Sequence, residues 1–300
     1  MYVVDFENQR AAQLLDWNTM GIDWQGRGWD RGLRGIAFDD EVLYIAASDE
    51  LFAFTPDFEP LGSWRNRYLK HCHEIARHER TLFLTSTGFD SILGFDLDSR
   101  IFSFGLRIEA RGDGFTGLAF DPLFESGPEP SNALHLNNVY CAPGAMHVSG
   151  LRTGGLLAYN GRDLRRWVTL PAGVHNAQPF RDGVLFNDTA ADVVRWVTRT
   201  GERTFPVPRF PKERLTHVDE GDSRLARQAF GRGLCVVDPD LIACGSSPST
   251  IALHDLRPSG RTRLATLTFD VRNAIHGLAV WPFGWRPSAT ARAASLPGGD

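Results

Sequence analysis

Short apolar runs rich in Val, Ile, Leu, Phe and Thr recur along the chain, cut by Gly, Asp, Asn and Pro, and helical periodicity is almost absent. That pattern predicts an all-β protein. The runs also repeat in register. Six segments open on a large cationic or imidazole side chain: Arg34-Gly-Ile-Ala-Phe, His73-Glu-Ile-Ala-Arg, His135-Leu-Asn-Asn-Val, His175-Asn-Ala-Gln-Pro, Arg232-Gly-Leu-Cys-Val and His276-Gly-Leu-Ala-Val. Second runs follow at Val42–Ser48, Thr81–Thr87, Ala145–Gly150, Gly183–Thr189 and Asp240–Ser247. Third runs follow at Glu50–Phe54, Ser91–Leu97, Gly155–Asn160, Asp192–Val197 and Thr250–Leu256, and fourth runs such as Ile101–Leu106 and Arg261–Phe269 complete the unit. Four short antiparallel strands per repeat is the pattern of a propeller blade, so six starts predict six blades.

The sixth unit opens at His276 and runs out of chain, whereas Tyr2-Val-Val-Asp-Phe and Gln13-Leu-Leu-Asp-Trp read as the third and fourth strands of a blade. The expectation is one six-bladed β-propeller over 1–286 whose last blade is closed by the N-terminal strands, with a flexible tail over 287–300. Such closure removes exposed sheet edges.

Composition narrows the function classes. With 300 residues, 42% hydrophobic and 23% charged, the chain belongs to the ordinary globular class. A net charge of −4 argues against a nucleic-acid backbone as partner. No run approaches the ~18 apolar residues of a membrane helix, and the start lacks a basic segment followed by an apolar one. Cys72, Cys141, Cys235 and Cys244 show no CxxC spacing, so free thiols and a cytoplasmic location are expected. Walker, GxGxxG and GxSxG motifs are absent.

First strands of propeller blades line the central channel, so Arg34, His73, His135, His175, Arg232 and His276 are expected to converge at one mouth of it. Antiparallel pairing returns the ends of the second strands to the same mouth, and those ends are small and polar: Ser48, Ser86, Thr87, Ser149, Asp188, Thr189, Ser246 and Ser247. Crowded imidazoles suppress one another's protonation, and neutral imidazole is the form that binds a transition metal. His73, His135, His175 and His276 are therefore the candidate ligands of a divalent Zn, Mn, Fe, Ni or Co ion. Such an ion would act as a Lewis acid or lower a water's pKa. Arg34 and Arg232 suit a carboxylate or phosphate on a small-molecule substrate, and Asn137, Asn138, Asn176 and Gln178 suit its hydroxyls. Glu74 and Asp188 are the nearest carboxylates for proton transfer. Strand alternation could equally turn Glu74 into blade packing, and Asp188 could cap a turn. Segments 20–33 (with Trp24 and Trp29), 107–134 and 207–231 exceed ordinary turns and are expected at this rim.

His135-Leu-Asn-Asn-Val, His175-Asn-Ala-Gln-Pro with Gly183-Val-Leu-Phe-Asn-Asp-Thr, and Phe230-Gly-Arg-Gly-Leu through Gly245-Ser-Ser resemble an uncharacterised bacterial six-bladed propeller family over roughly 30–280. That likeness implies no established activity. More loosely, the layout is similar to metal-dependent six-bladed propeller lyases that hold a divalent metal with axial His. The senescence-marker lactonases use carboxylate and Asn ligands, where this chain has His. The expected function is a metal-dependent lyase, isomerase or hydrolase acting at the central channel mouth on a small hydroxylated substrate, anionic or neutral. The alternatives are a non-catalytic binding or scaffold propeller, and a lactonase-like hydrolase using a Ca-type cation.

Overall fold

The computed structural model describes residues 1–17, 32–218 and 227–285, and the strand Arg292–Ser295. It is an all-β propeller with five blades. Blade one holds Leu33–Asp39, Val42–Ala47, Glu50–Phe54 and Pro60–Arg65 from the axis outward. Blade two holds Ile75–His78, Thr81–Ser86, Ser91–Asp96, Ile101–Arg111 and Gly114–Phe120. Blade three holds Leu136–Ala142, Ala145–Gly150, Gly155–Tyr159 and Leu164–Thr169, and blade four Val174–Phe180, Gly183–Asp188, Val193–Val197 and Glu202–Pro206. Blade five holds Leu234–Asp238, Leu241–Ser246, Thr250–Asp255 and Thr262–Thr266. All pairings within the blades are antiparallel, so each blade is a meander.

The second and third strands carry the core because both of their faces pack against neighbouring blades. Leu43, Ile45, Leu82, Leu84, Ile92 and Leu93 are fully buried. Fourth strands such as Leu164–Thr169 are largely exposed. Between blades one and two, Ala46, Leu51, Leu69, Leu82, Leu84 and Phe95 pack into one cluster.

The expected six blades are corrected to five. The sixth unit supplies only its first segment, and Ile275–Val280 forms no strand. That segment lies between blades five and one. The Ile275 amide donates to the Ser246 carbonyl, and Gly277 packs against the Arg34 carbonyl. Tyr2–Asp5, Arg10–Gln13 and Arg292–Ser295 form a separate three-stranded sheet. The two ends of the chain do meet, but without the inner strands that would make their sheet a blade. An open cleft of about 1210 Å³, walled by Val3, Ile36, Leu253 and Leu278 among others, lies between this sheet and the two flanking blades. Arg292–Ser295 falls within the segment expected to be a tail.

Of the three long segments expected at the rim, 107–134 builds the fifth strand of blade two before it crosses back to blade three. Residues 18–31, which include Trp24 and Trp29, and 219–226 lie outside the described residues.

Candidate functional site

The innermost strands are not regular. In blades one, three and four their pairing slips between Leu33 and Ile36, Leu136 and Asn138, and His175 and Gln178. Such bulges re-aim side chains. Asn176 takes up the slip in blade four with a φ of 51°, a left-handed conformation that Asn tolerates better than most residues.

At the mouth, His73 and His135 meet edge to face with ring centroids 5.4 Å apart. His276 lies beside Arg232, Nδ1 to Nη1 3.2 Å. The Phe230 ring is 6.0 Å from His175, and the Arg232 guanidinium lies over that ring at 4.3 Å. Burial pushes all four imidazoles below the ordinary histidine range, His135 to about 4. The positive charges of Arg34 and Arg232 act on every one of the four in the same direction. The rings are therefore neutral at pH 7, with two guanidiniums among them.

Hydrogen-bond partners fix the form of each neutral ring. Nδ1 of His73 lies 2.8 Å from the His71 carbonyl oxygen, which can only accept, so Nδ1 carries the proton. Nδ1 of His135 faces Asn132 Oδ1 at 2.9 Å and likewise donates. Nδ1 of His175 faces Thr189 Oγ1 at 2.9 Å. That hydroxyl gives its own proton to the Gly231 carbonyl, so it accepts from His175. In these three rings the lone pair is left on Nε2. His276 is the reverse case: arginine can only donate, so its Nδ1 accepts and its Nε2 carries the proton. The four expected ligands thus divide into three with Nε2 available and one without. Among the described residues, no group of three or more His, Cys, Asp or Glu is arranged to hold a metal ion.

Further along the innermost strands lies a chamber of about 240 Å³ walled by Glu74, Asn138, Asn176, Gln178 and apolar Ile36 and Leu278, among others. Glu74 faces this chamber. Its Oε2 accepts from Asn176 Nδ2 at 2.8 Å, and Asn176 Oδ1 accepts from the Gly233 amide and from Asn187 Nδ2. Burial raises the Glu74 carboxyl from 4.5 to about 8, so it is a neutral acid at pH 7.

Other candidates are used elsewhere. Asn137 Nδ2 donates to the Val174 carbonyl and Asn138 Nδ2 to the Ala177 carbonyl, which ties blade three to blade four. Asp188 binds Arg195 Nε at 2.8 Å and caps a turn through the Ala191 amide. Both of its carboxylate oxygens are engaged in these contacts. Exchange of Asp188 for Asn should cost about 1–2 kcal/mol of stability. Metal and ligand binding should be unchanged, as read by urea melts beside a binding titration. Sequence reasoning missed Asn187, Phe230 and the roles of Thr87 and Thr189. An alignment of the repeats on their hydroxyls would have found the threonines.

No family model and no curated protein matches the chain. Solved structures do. A catalytically inactive virginiamycin B lyase from Staphylococcus aureus with quinupristin matches at TM-score 0.49 and 11% identity, over 79% of this chain and 70% of that one. Hydrazine synthase of Kuenenia stuttgartiensis matches at 0.52 and 11%, over 85% and 71%. The WD40 propeller domain of Doa1 matches at 0.47 and 15%, over 81% and 72%. All three are under 25% identical, and a fold does not carry a function with it. The likeness is that of the β-propeller.

Proposed function

We propose that the protein is a propeller enzyme acting on a small hydroxylated, anionic substrate at the channel mouth. The observation that carries this reading is the set of three neutral imidazoles, each fixed through Nδ1, standing between two guanidiniums. His73, His135 and His175 would hold a divalent transition metal through Nε2, which requires the three rings to draw closer together. The metal would supply Lewis acidity. Arg34 and Arg232 would bind the substrate's carboxylate or phosphate. Glu74, protonated in its chamber, would hand a proton to a leaving group. His276 would orient Arg232 as its acceptor rather than serve as a ligand.

The test is elemental analysis of protein purified without an affinity tag, followed by titration with Zn, Mn, Fe, Ni and Co salts. About one ion per chain is expected. Exchange of His73 and His175 together for Ala should abolish its retention, and His276→Ala should not. Protein that carries no metal and binds none would overturn the metal assignment. A second reading, a non-catalytic binding propeller, is favoured by the separation of the imidazoles, which leaves no ready-made metal group among the described residues. Ligand binding without turnover of hydroxy acids or acidic sugars would support it.

A further inference from the structure

Three side chains that wall the chamber of about 240 Å³, one each at the innermost strands of blades two, three and four, carry hydrogen-bonding groups that the fold leaves over. On blade four Ala177 packs into the core, while its neighbours Asn176 and Gln178 wall the chamber. Gln178 is 7% exposed, and its amide finds no hydrogen-bond partner among the described residues. On blade three Asn138 is 4% exposed. Its Nδ2 donates to the Ala177 carbonyl, which fixes the amide and leaves Oδ1 without a partner among the described residues. Asn176 settles the Glu74 carboxyl of blade two in the same way. Asn176 Oδ1 is occupied by the Gly233 amide and Asn187 Nδ2, so its Nδ2 faces Glu74 Oε2 and the proton of the neutral acid sits on Oε1. That oxygen also receives the Ile75 amide, at a long 3.3 Å. Polar groups buried without partners are rare in native folds, and each costs stability. Here they converge on one cavity from three blades.

We propose that the chamber is a binding site for an uncharged polyol of about four carbons, whose hydroxyls pair with the Gln178 amide, Asn138 Oδ1 and the Glu74 carboxyl. Size sets the length, since the volume is that of about eight waters at ~30 Å³ each. Charge sets the class. Glu74 is neutral, and Arg77, the other charged residue of the wall, is held by Asp39 at 2.6 Å and donates to the Glu79 carbonyl. A charged ligand would lose its water there without gaining a counter-charge, which is costly. Hydroxyls both donate and accept, and the wall answers both needs: Asn138 Oδ1 accepts, the Glu74 O–H donates, and the Gln178 amide does both. Ile36, Leu234 and Leu278 meet the ligand's C–H edges. This site uses neither the imidazoles nor the guanidiniums of the mouth, and shares only Glu74 with the function proposed above.

The test is calorimetric titration of metal-free full-length protein with erythritol and with erythronate, its carboxylate counterpart, backed by ligand-observed NMR for millimolar affinities. Erythritol is expected to bind at about one per chain, and erythronate at least about tenfold more weakly. Gln178→Leu should weaken erythritol binding about tenfold. It should leave the melting temperature of the ligand-free protein unchanged or higher, because that amide bonds nothing in the fold. Native protein that takes up no erythritol, its chamber holding water only, would overturn the proposal. So would erythronate bound as tightly as erythritol, or Gln178→Leu protein that binds erythritol as tightly as the native chain. Erythritol bound by protein that takes up no transition metal would keep this site and sink the metal assignment alone, and metal taken up without erythritol would do the reverse.

Discussion

The unfolding free energy of the metal-free protein is expected to peak near pH 6.5 and to fall on both sides, with a different group responsible on each. On the alkaline side the group is Glu74, whose carboxyl titrates at about 8 when folded against 4.5 ordinarily. Between those values the unfolded chain releases a proton that the folded one keeps, so stability drops as pH rises. The slope is about 1.4 kcal/mol per unit and the total about 4–5 kcal/mol. On the acid side the groups are histidines. His135 and His254 titrate at about 4 when folded, and His73, His175 and His276 are lowered well below 6.5, all mainly by burial. Below pH 6.5 the unfolded chain takes up protons that the folded one refuses, so stability falls with pH. By pH 4 the loss is roughly 3 kcal/mol from His135 alone. Several protons outweigh the one of Glu74 in the window they share, which puts the maximum near 6.5. Glu74→Gln copies the neutral acid and should erase the alkaline limb, gaining about 4–5 kcal/mol at pH 8.5 and nothing at pH 4. Urea melts at a series of pH values decide it. Identical profiles for the two proteins would remove Glu74 from the buried chamber.

Exchange of Gly277 for Ala should cost about 3 kcal/mol and weaken binding at the mouth together with it. A Cβ there would lie 1.9 Å from the Arg34 carbonyl oxygen and 2.8 Å from its carbonyl carbon. Both are backbone atoms and cannot rotate aside. Either blade one or the His276 segment must shift, and the two carry Arg34 and His276. Gly201, with open space around it, is the control and should change stability by less than about 0.5 kcal/mol. Equal stabilities for the two variants would mean that the 275–280 segment does not press on blade one.

The blades were legible where turn chemistry is explicit. Second and third strands of all five coincide with the sequence reading to within a residue or two, because Asp, Gly and Asn bracket apolar runs such as Val42–Ala47 and Thr250–Asp255. The sixth blade was not, since His276-Gly-Leu-Ala-Val has the composition of a first strand but no second run to pair with. Within the site, strand alternation left the direction of Glu74 open. Bulges decide such directions, and no residue in the blade-four bulge announces one beyond the left-handed tolerance of Asn176. The partners of Asn137, Asn138 and Asp188, a neighbour's backbone or Arg195, were not legible. Those partners lie on other strands, where spacing along the chain gives no sign of them.

The sheet that joins Arg10–Gln13 to Arg292–Ser295 makes the first and last parts of the chain spatial neighbours. On the ribosome, the strand over 10–13 emerges before all five blades and waits with one edge open until the strand over 292–295 has been made. The five blades, each built from consecutive strands, can form in order as they appear, whereas this junction forms only after the last of them. A circularly permuted chain, with its old ends linked and new ones opened in a turn such as that at Gly144, would make the junction a local contact and leave a blade to be completed last.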